Sequence, residues 1–145
     1  MATARIEAAI AAAGDRIVLT ARADNWFHGV QDLDDTIARL QAFEAAGAHV
    51  LYAPGLERID DIRALISSVS RPVNVLMRAN GPTVAELAAA GVARITVGGS
   101  FAFAALGALT EAATELRDTG TTEYTRLSAI GQRAAAEAFG RSGQD

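Results

Sequence analysis

Three Ala-Gly steps, Ala13-Gly14, Ala46-Gly47 and Ala90-Gly91, constrain this chain more than any other feature. Each closes a helix-forming stretch with the residue best suited to end a helix. Each is followed by a short run rich in apolar and β-branched residues. Such alternation implies parallel strands joined by right-handed crossovers, because each helix carries the chain back to the starting end of the sheet. Four strand-then-helix units are legible. No linker or composition shift interrupts them, so residues 1–145 read as a single domain.

The elements follow in order. The spacing predicts a helix over 3–13 and a strand over 16–22. The loop Asp24–Gln31 is rich in aromatics, as a specificity lid or a subunit contact is. Asp32 or Asp34 caps the next helix, which ends at Gly47. A strand over 48–53 turns at Pro54-Gly55. Ile59, Ile62, Leu65 and Ile66 mark one face of a helix over 58–68. Pro72 opens a strand over Val73–Met77, and a short helix runs from near Pro82 to Ala90. A strand over 92–97 leads through Gly98-Gly99-Ser100 into a helix of about 101–118. Gly120-Thr121-Thr122 breaks the chain before a last amphipathic helix of about 122–139. The polar tail Gly140–Asp145 is expected to fray.

Composition removes several classes of function. A net charge of −4 and no basic stripe argue against a nucleic-acid partner. The absence of cysteine excludes disulfides, thiolate metal sites and a cysteine nucleophile. No apolar run reaches the ~20 residues of a membrane span, and charge near Met1 is unlike a signal peptide. The expectation is a cytoplasmic chain with no membrane partner, half of whose residues are hydrophobic, enough for a sizeable core.

The run Ile17-Val18-Leu19-Thr20-Ala21-Arg22-Ala23-Asp24 carries the candidate chemistry. It reads as a buried strand ending in a cation. Ligands of parallel α/β sheets and barrels bind at the C-terminal strand ends. There an arginine can grip a carboxylate or phosphate with two parallel bonds; equally, Arg22 can pair with Asp24. Gly98-Gly99-Ser100 before a helix is a plausible anion cradle, or simply a tight turn. Asn74, Gly98, Gly99, Ser100 and His28 join Arg22 as candidate substrate-binding residues. His28, in the aromatic loop, reads equally as solvated, and His49, at a strand, as structural. Asp32, Asp34, Asp35, Asp60 and Asp61 are explained by helix capping. No metal-ligand set, Ser-His-Asp arrangement, phosphate loop or paired-carboxylate signature emerges.

Five pieces in order resemble the isocitrate lyase / phosphoenolpyruvate mutase family. They are Leu19–Asp24, Thr36–Ala48, Val50–Leu56, Arg71–Leu76 and Glu86–Gly98. The resemblance covers about residues 3–128. It implies an α/β fold of the (β/α)8 TIM-barrel type, with this chain as the second half: four βα units over about 1–118 and a C-terminal helical arm over about 122–139. It implies a lyase or phosphonomutase that breaks or moves a C–C or C–P bond of a small 2-oxo acid through an enolate. The family's cofactor is Mg²⁺, held by acids on the earlier strands, so no metal ligand is expected in this half. Arg22 matches the family's arginine that binds the substrate carboxylate and helps stabilise the enolate, and is the one catalytic residue expected. The resemblance narrows the subgroup and leaves the substrate open: Tyr52-Ala53-Pro54-Gly55-Leu56 looks more like bacterial lyase and phosphonomutase-like members of the family. Pro54 stands where methylisocitrate lyases carry a glutamate, and the histidine that phosphoenolpyruvate mutases carry nearby is absent.

Half a barrel leaves one sheet face uncovered and two strand edges open. A longer parent chain, a second copy completing eight strands, or helices rearranged over the face would each answer this. A homo-oligomer is expected, with residues 122–139 as the exchanged arm. A non-catalytic remnant or interaction module of the same scaffold is the competing reading. An unrelated anion-binding α/β domain, of flavodoxin-like or response-regulator type, lacks its expected marks, an acidic phosphorylation pocket at the end of the first strand and a glycine-rich nucleotide loop.

Overall fold

The computed structural model of the chain describes residues 1–140. Its contacts form two compact units, Met1–Gly98 and the chain from Gly99 onward.

The first unit is built on four parallel strands in the order β1 (Thr20–Arg22), β2 (Val50–Tyr52), β3 (Val73–Leu76), β4 (Arg94–Thr96). The helices are α1 (Ala2–Ala13), α2 (Leu33–Ala45), α3 (Ile59–Ser67) and α4 (Val84–Ala89). The predicted strand–helix alternation is thus the observed one. Asp32 is the cap of α2, its carboxylate accepting the Asp35 N–H at 3.0 Å. Thr83 and Glu86 form a reciprocal capping box at α4.

Side chains alternate across a strand, and the register sorts them into two faces. Ala21, Leu51, Val73 and Val75 belong to the buried cluster, with Leu40 and Phe43 of α2, Ile62 and Leu65 of α3 and Leu87 of α4. The other face carries Thr20, Arg22, Val50, Tyr52, Asn74, Leu76, Arg94 and Thr96. Arg22, Tyr52, Asn74 and Arg94 form a single register row across all four strands.

The first strand is shorter than its apolar run predicts. Arg16 folds back on α1, donating to the carbonyls of Ala12 at 2.8 Å and Ala13 at 3.1 Å, which winds Gly14–Arg16 into a 3₁₀ turn. Ile17 and Val18 are left exposed. The ladder starts at Leu19, whose carbonyl accepts the Val50 N–H and whose own N–H donates to His49 Nδ1 at 2.9 Å. His49 is therefore structural, as read.

The second unit holds α5 (Ser100–Asp118) and α6 (Thr125–Phe139), and neither helix has a buried residue. Between them Glu115 accepts from the Thr121 hydroxyl and the Glu123 N–H, both at 2.6 Å, and from the Tyr124 N–H at 3.0 Å. Of the predicted polar tail, all but Gly140 lies outside the described residues.

Candidate functional site

Arg22 is the last residue of β1, where the sequence places it. Its guanidinium carbon lies 5.8 Å from the ring centroid of Tyr52 and 5.9 Å from that of Phe27, within the range of a cation–π contact. Its Nε donates to Asp24 Oδ1 at 2.6 Å. Half of the Arg22 side chain is exposed, so this ion pair is screened and only modestly stabilising. What the pair and the two rings supply is orientation. Among the described residues no acceptor meets Nη1 or Nη2, the two donors that a carboxylate would engage side by side.

The aromatic loop that follows is not loose. Asn25–His28 forms a 3₁₀ turn tied to α2 through one hydroxyl. Thr36 Oγ1 accepts from Asn25 Nδ2 at 2.7 Å and from Trp26 Nε1 at 2.9 Å, and donates to the Asp32 carbonyl at 2.6 Å. This anchoring holds Phe27 against Arg22. His28, the last residue of the turn, is exposed.

Asn74 lies on the same row as Arg22 but is buried, and both ends of its amide are occupied. Oδ1 accepts from Arg94 Nε at 2.9 Å, and Nδ2 donates to Thr96 Oγ1 at 3.1 Å. Gly98 follows β4 with φ +56, a conformation that suits glycine. Gly99 and Ser100 open the second unit, Gly99 as the residue before α5. On the rim of the first unit Arg78 pairs with Glu57. A groove of about 270 Å³ lines the open edge of β1, with Arg5, Ile6, Leu19, Arg22 and Phe43 among its walls.

Sequence reasoning did not single out Tyr52, Phe27 or Arg94. The signal for two of them was available: polar residues at alternate strand positions, placed by the parallel register on Arg22's row. Phe27 had no such signal, because its placement depends on the Thr36 hydrogen bonds. Among the described residues no group of three or more histidines or acids is placed to hold a metal ion. These residues do not fit a Mg²⁺ site. The chemistry they can supply is that of a fixed cation and its hydrogen-bond donors.

The fold is α/β, a parallel sheet with helices, and the site presents an arginine cation fixed at a strand end. The family model of phosphoenolpyruvate phosphomutase matches residues 1–117, and the chain belongs to that family. A Burkholderia cenocepacia J2315 structure described as a lyase/mutase is 50% identical, with a TM-score of 0.80 over 86% of this chain and 47% of its own. A phosphonopyruvate hydrolase solved with oxalate and Mg²⁺ is 27% identical, with a TM-score of 0.67 over 94% of this chain and 54% of its own. Oxaloacetate decarboxylase of Paraburkholderia xenovorans LB400 is 38% identical over 74 residues, 50% of this chain and 24% of that protein. The chain thus spans about half the length of these solved structures and a quarter of this curated relative. The resemblance read from five sequence pieces and the α/β barrel-type fold both hold. The expected class of enzyme, lyase or mutase, is that of its homologues. No helix of the described residues is long and apolar enough to cross a membrane.

Proposed function

We propose that this chain forms the carboxylate-gripping wall of a pocket in which a small 2-oxo acid is broken or rearranged at a C–C or C–P bond through an enolate. The observation that carries the reading is Arg22. It stands at a strand end, held by Asp24 between Phe27 and Tyr52, with its two terminal nitrogens turned to no acceptor among the described residues. A fixed cation at that point binds the substrate carboxylate and stabilises negative charge developing on the adjacent oxygen. The oxalate in the related hydrolase supports this ligand chemistry, since oxalate mimics the enolate of a 2-oxo acid. Mg²⁺ belongs to the proposal as the family's cofactor, with its ligands outside the described residues of this chain. A homo-oligomer belongs to it too, supported by the exposed Phe101, Phe103 and Leu109 of α5.

A second reading, a scaffold element without catalysis, is favoured by one observation: Arg22 Nε is already engaged by Asp24. Titration calorimetry with oxalate, with and without Mg²⁺, separates the two. The catalytic reading expects binding that weakens at least about tenfold in Arg22→Ala, the loss of a charge-assisted pair. Unchanged affinity in Arg22→Ala removes the role given to that residue. No binding by the unaltered chain at millimolar oxalate favours the scaffold reading.

A further inference from the structure

We propose that Arg94 is a positioning residue: a strut that fixes the spacing of the first and fourth strands and with it the place of the Arg22 guanidinium. Arg94 opens β4, and its side chain lies on the sheet face that carries Thr20 and Asn74. Its Nε donates to Asn74 Oδ1 at 2.9 Å and its Nη2 to Thr20 Oγ1 at 3.0 Å. Thr20 belongs to β1, at the opposite edge of the sheet. In a flat sheet, three strand spacings put β1 and β4 roughly 14 Å apart. An extended arginine and one hydrogen bond do not bridge that gap. The contact exists because the sheet curls toward this face, and it ties the curl across its open side.

Asn74 is what makes the strut directional. It is 2% exposed, and its Nδ2 is committed to Thr96. Turning the amide would set its Nδ2 against Arg94 Nε, donor against donor, so Oδ1 stays aimed at Arg94 Nε. The planar guanidinium, fixed at Nε, then points Nη2 at Thr20. Thr20 stands two residues before Arg22 on the same strand face. A shift of β1 that the strut prevents would carry Arg22 with it.

The consequence for ligand binding rests on the carboxylate reading of Arg22; the consequence for the strands does not. The test is amide hydrogen exchange of the full chain, with oxalate affinity measured alongside, in Arg94→Met, Thr20→Val and the double variant. Thr20→Val keeps the shape of the side chain and reports on the strut even where Arg94→Met fails to fold. The β1 amides are expected to exchange about tenfold faster in each single variant, one hydrogen bond's worth of protection. The double variant should be no worse than Arg94→Met alone, because the contact that Thr20→Val removes is already gone there. Oxalate affinity should fall in parallel.

Faster exchange confined to β3 and β4 overturns the proposal, because a merely local role for Arg94 gives that pattern. Faster exchange in β1 with oxalate affinity unchanged overturns the positioning role. If the unaltered chain binds no oxalate, the carboxylate reading and the positioning role resting on it fall together, and the exchange data still decide whether the strut exists. If oxalate binds and the variants change neither quantity, the strut alone falls.

Discussion

Leu51 and Leu109 are the same side chain in two surroundings. Leu51, in β2, is wholly buried in the first unit among helices α2 and α3 and the neighbouring strands. Leu109, in the middle of α5, is 66% exposed. The contrast is general. Among the described residues the buried hydrophobic core lies between Ala21 and Leu87, while Phe101, Phe103, Leu106 and Leu116 of α5 are exposed. Apolar residues in a helix do not bury themselves; they need a facing surface, and until one is present the helix relies on propensity and local bonds.

The largest expected effect tests that contrast directly. Leu51→Ala should destabilise the chain by about 3 kcal/mol in urea denaturation, since it leaves a cavity in a closed core. Leu109→Ala should change stability by less than about 0.5 kcal/mol, as for other exposed positions. Equal losses would break the comparison and mean that α5 is covered in solution. A midpoint that moves with protein concentration would then identify the cover as another copy.

Glycines sharpen the same comparison, with opposite signs in the two units. Gly55, in the turn after β2, has φ +101, and an added Cβ would stand 3.0 Å from Trp26 Cβ. Gly55→Ala should cost about 1–3 kcal/mol from the backbone alone, and should loosen the turn that holds Phe27 by Arg22. Gly131, inside α6, has open space around its missing Cβ. Gly131→Ala should add about 0.5–1 kcal/mol to that helix, read as a higher midpoint and more helical circular dichroism. A loss at Gly131 would show that a neighbour needs the space.

The same division explains what the sequence could disclose. Glycine after alanine, and β-branched runs between helices, marked the alternation because those signals are local. The bounds of β1 were not legible, since they depend on Arg16 turning back to α1 and on His49 meeting Leu19, thirty residues away. Arg22 was legible as a strand-end cation, and its pairing with Asp24 was one of two readings weighed. Tyr52 and Arg94 became site neighbours only once the register was known. The exposure of α5 had no signature, because its composition is that of a helix with something to pack against.

The smallest expected effect concerns the turn between α5 and α6. Glu115 is held below the ordinary carboxylate range first by the Thr121 hydroxyl, then by the N–H groups of Glu123 and Tyr124, against some opposing desolvation. A carboxylate depressed in the folded state stabilises it fully above the ordinary carboxylate value. That contribution fades as the pH falls toward and through the depressed value, because protonation removes the charged acceptor. Acid titration followed by nuclear magnetic resonance should therefore show the Glu123 and Tyr124 amides shifting with a midpoint below that of a free glutamate. In Glu115→Gln the shift should vanish, with the core around Leu51 unaffected. A midpoint at the ordinary glutamate value would mean that the three hydrogen bonds are not held in solution. The second unit would then keep its turn by the positive-φ Gly120 and the Thr119 and Thr125 hydroxyl bonds, which carry no charge and give no pH dependence.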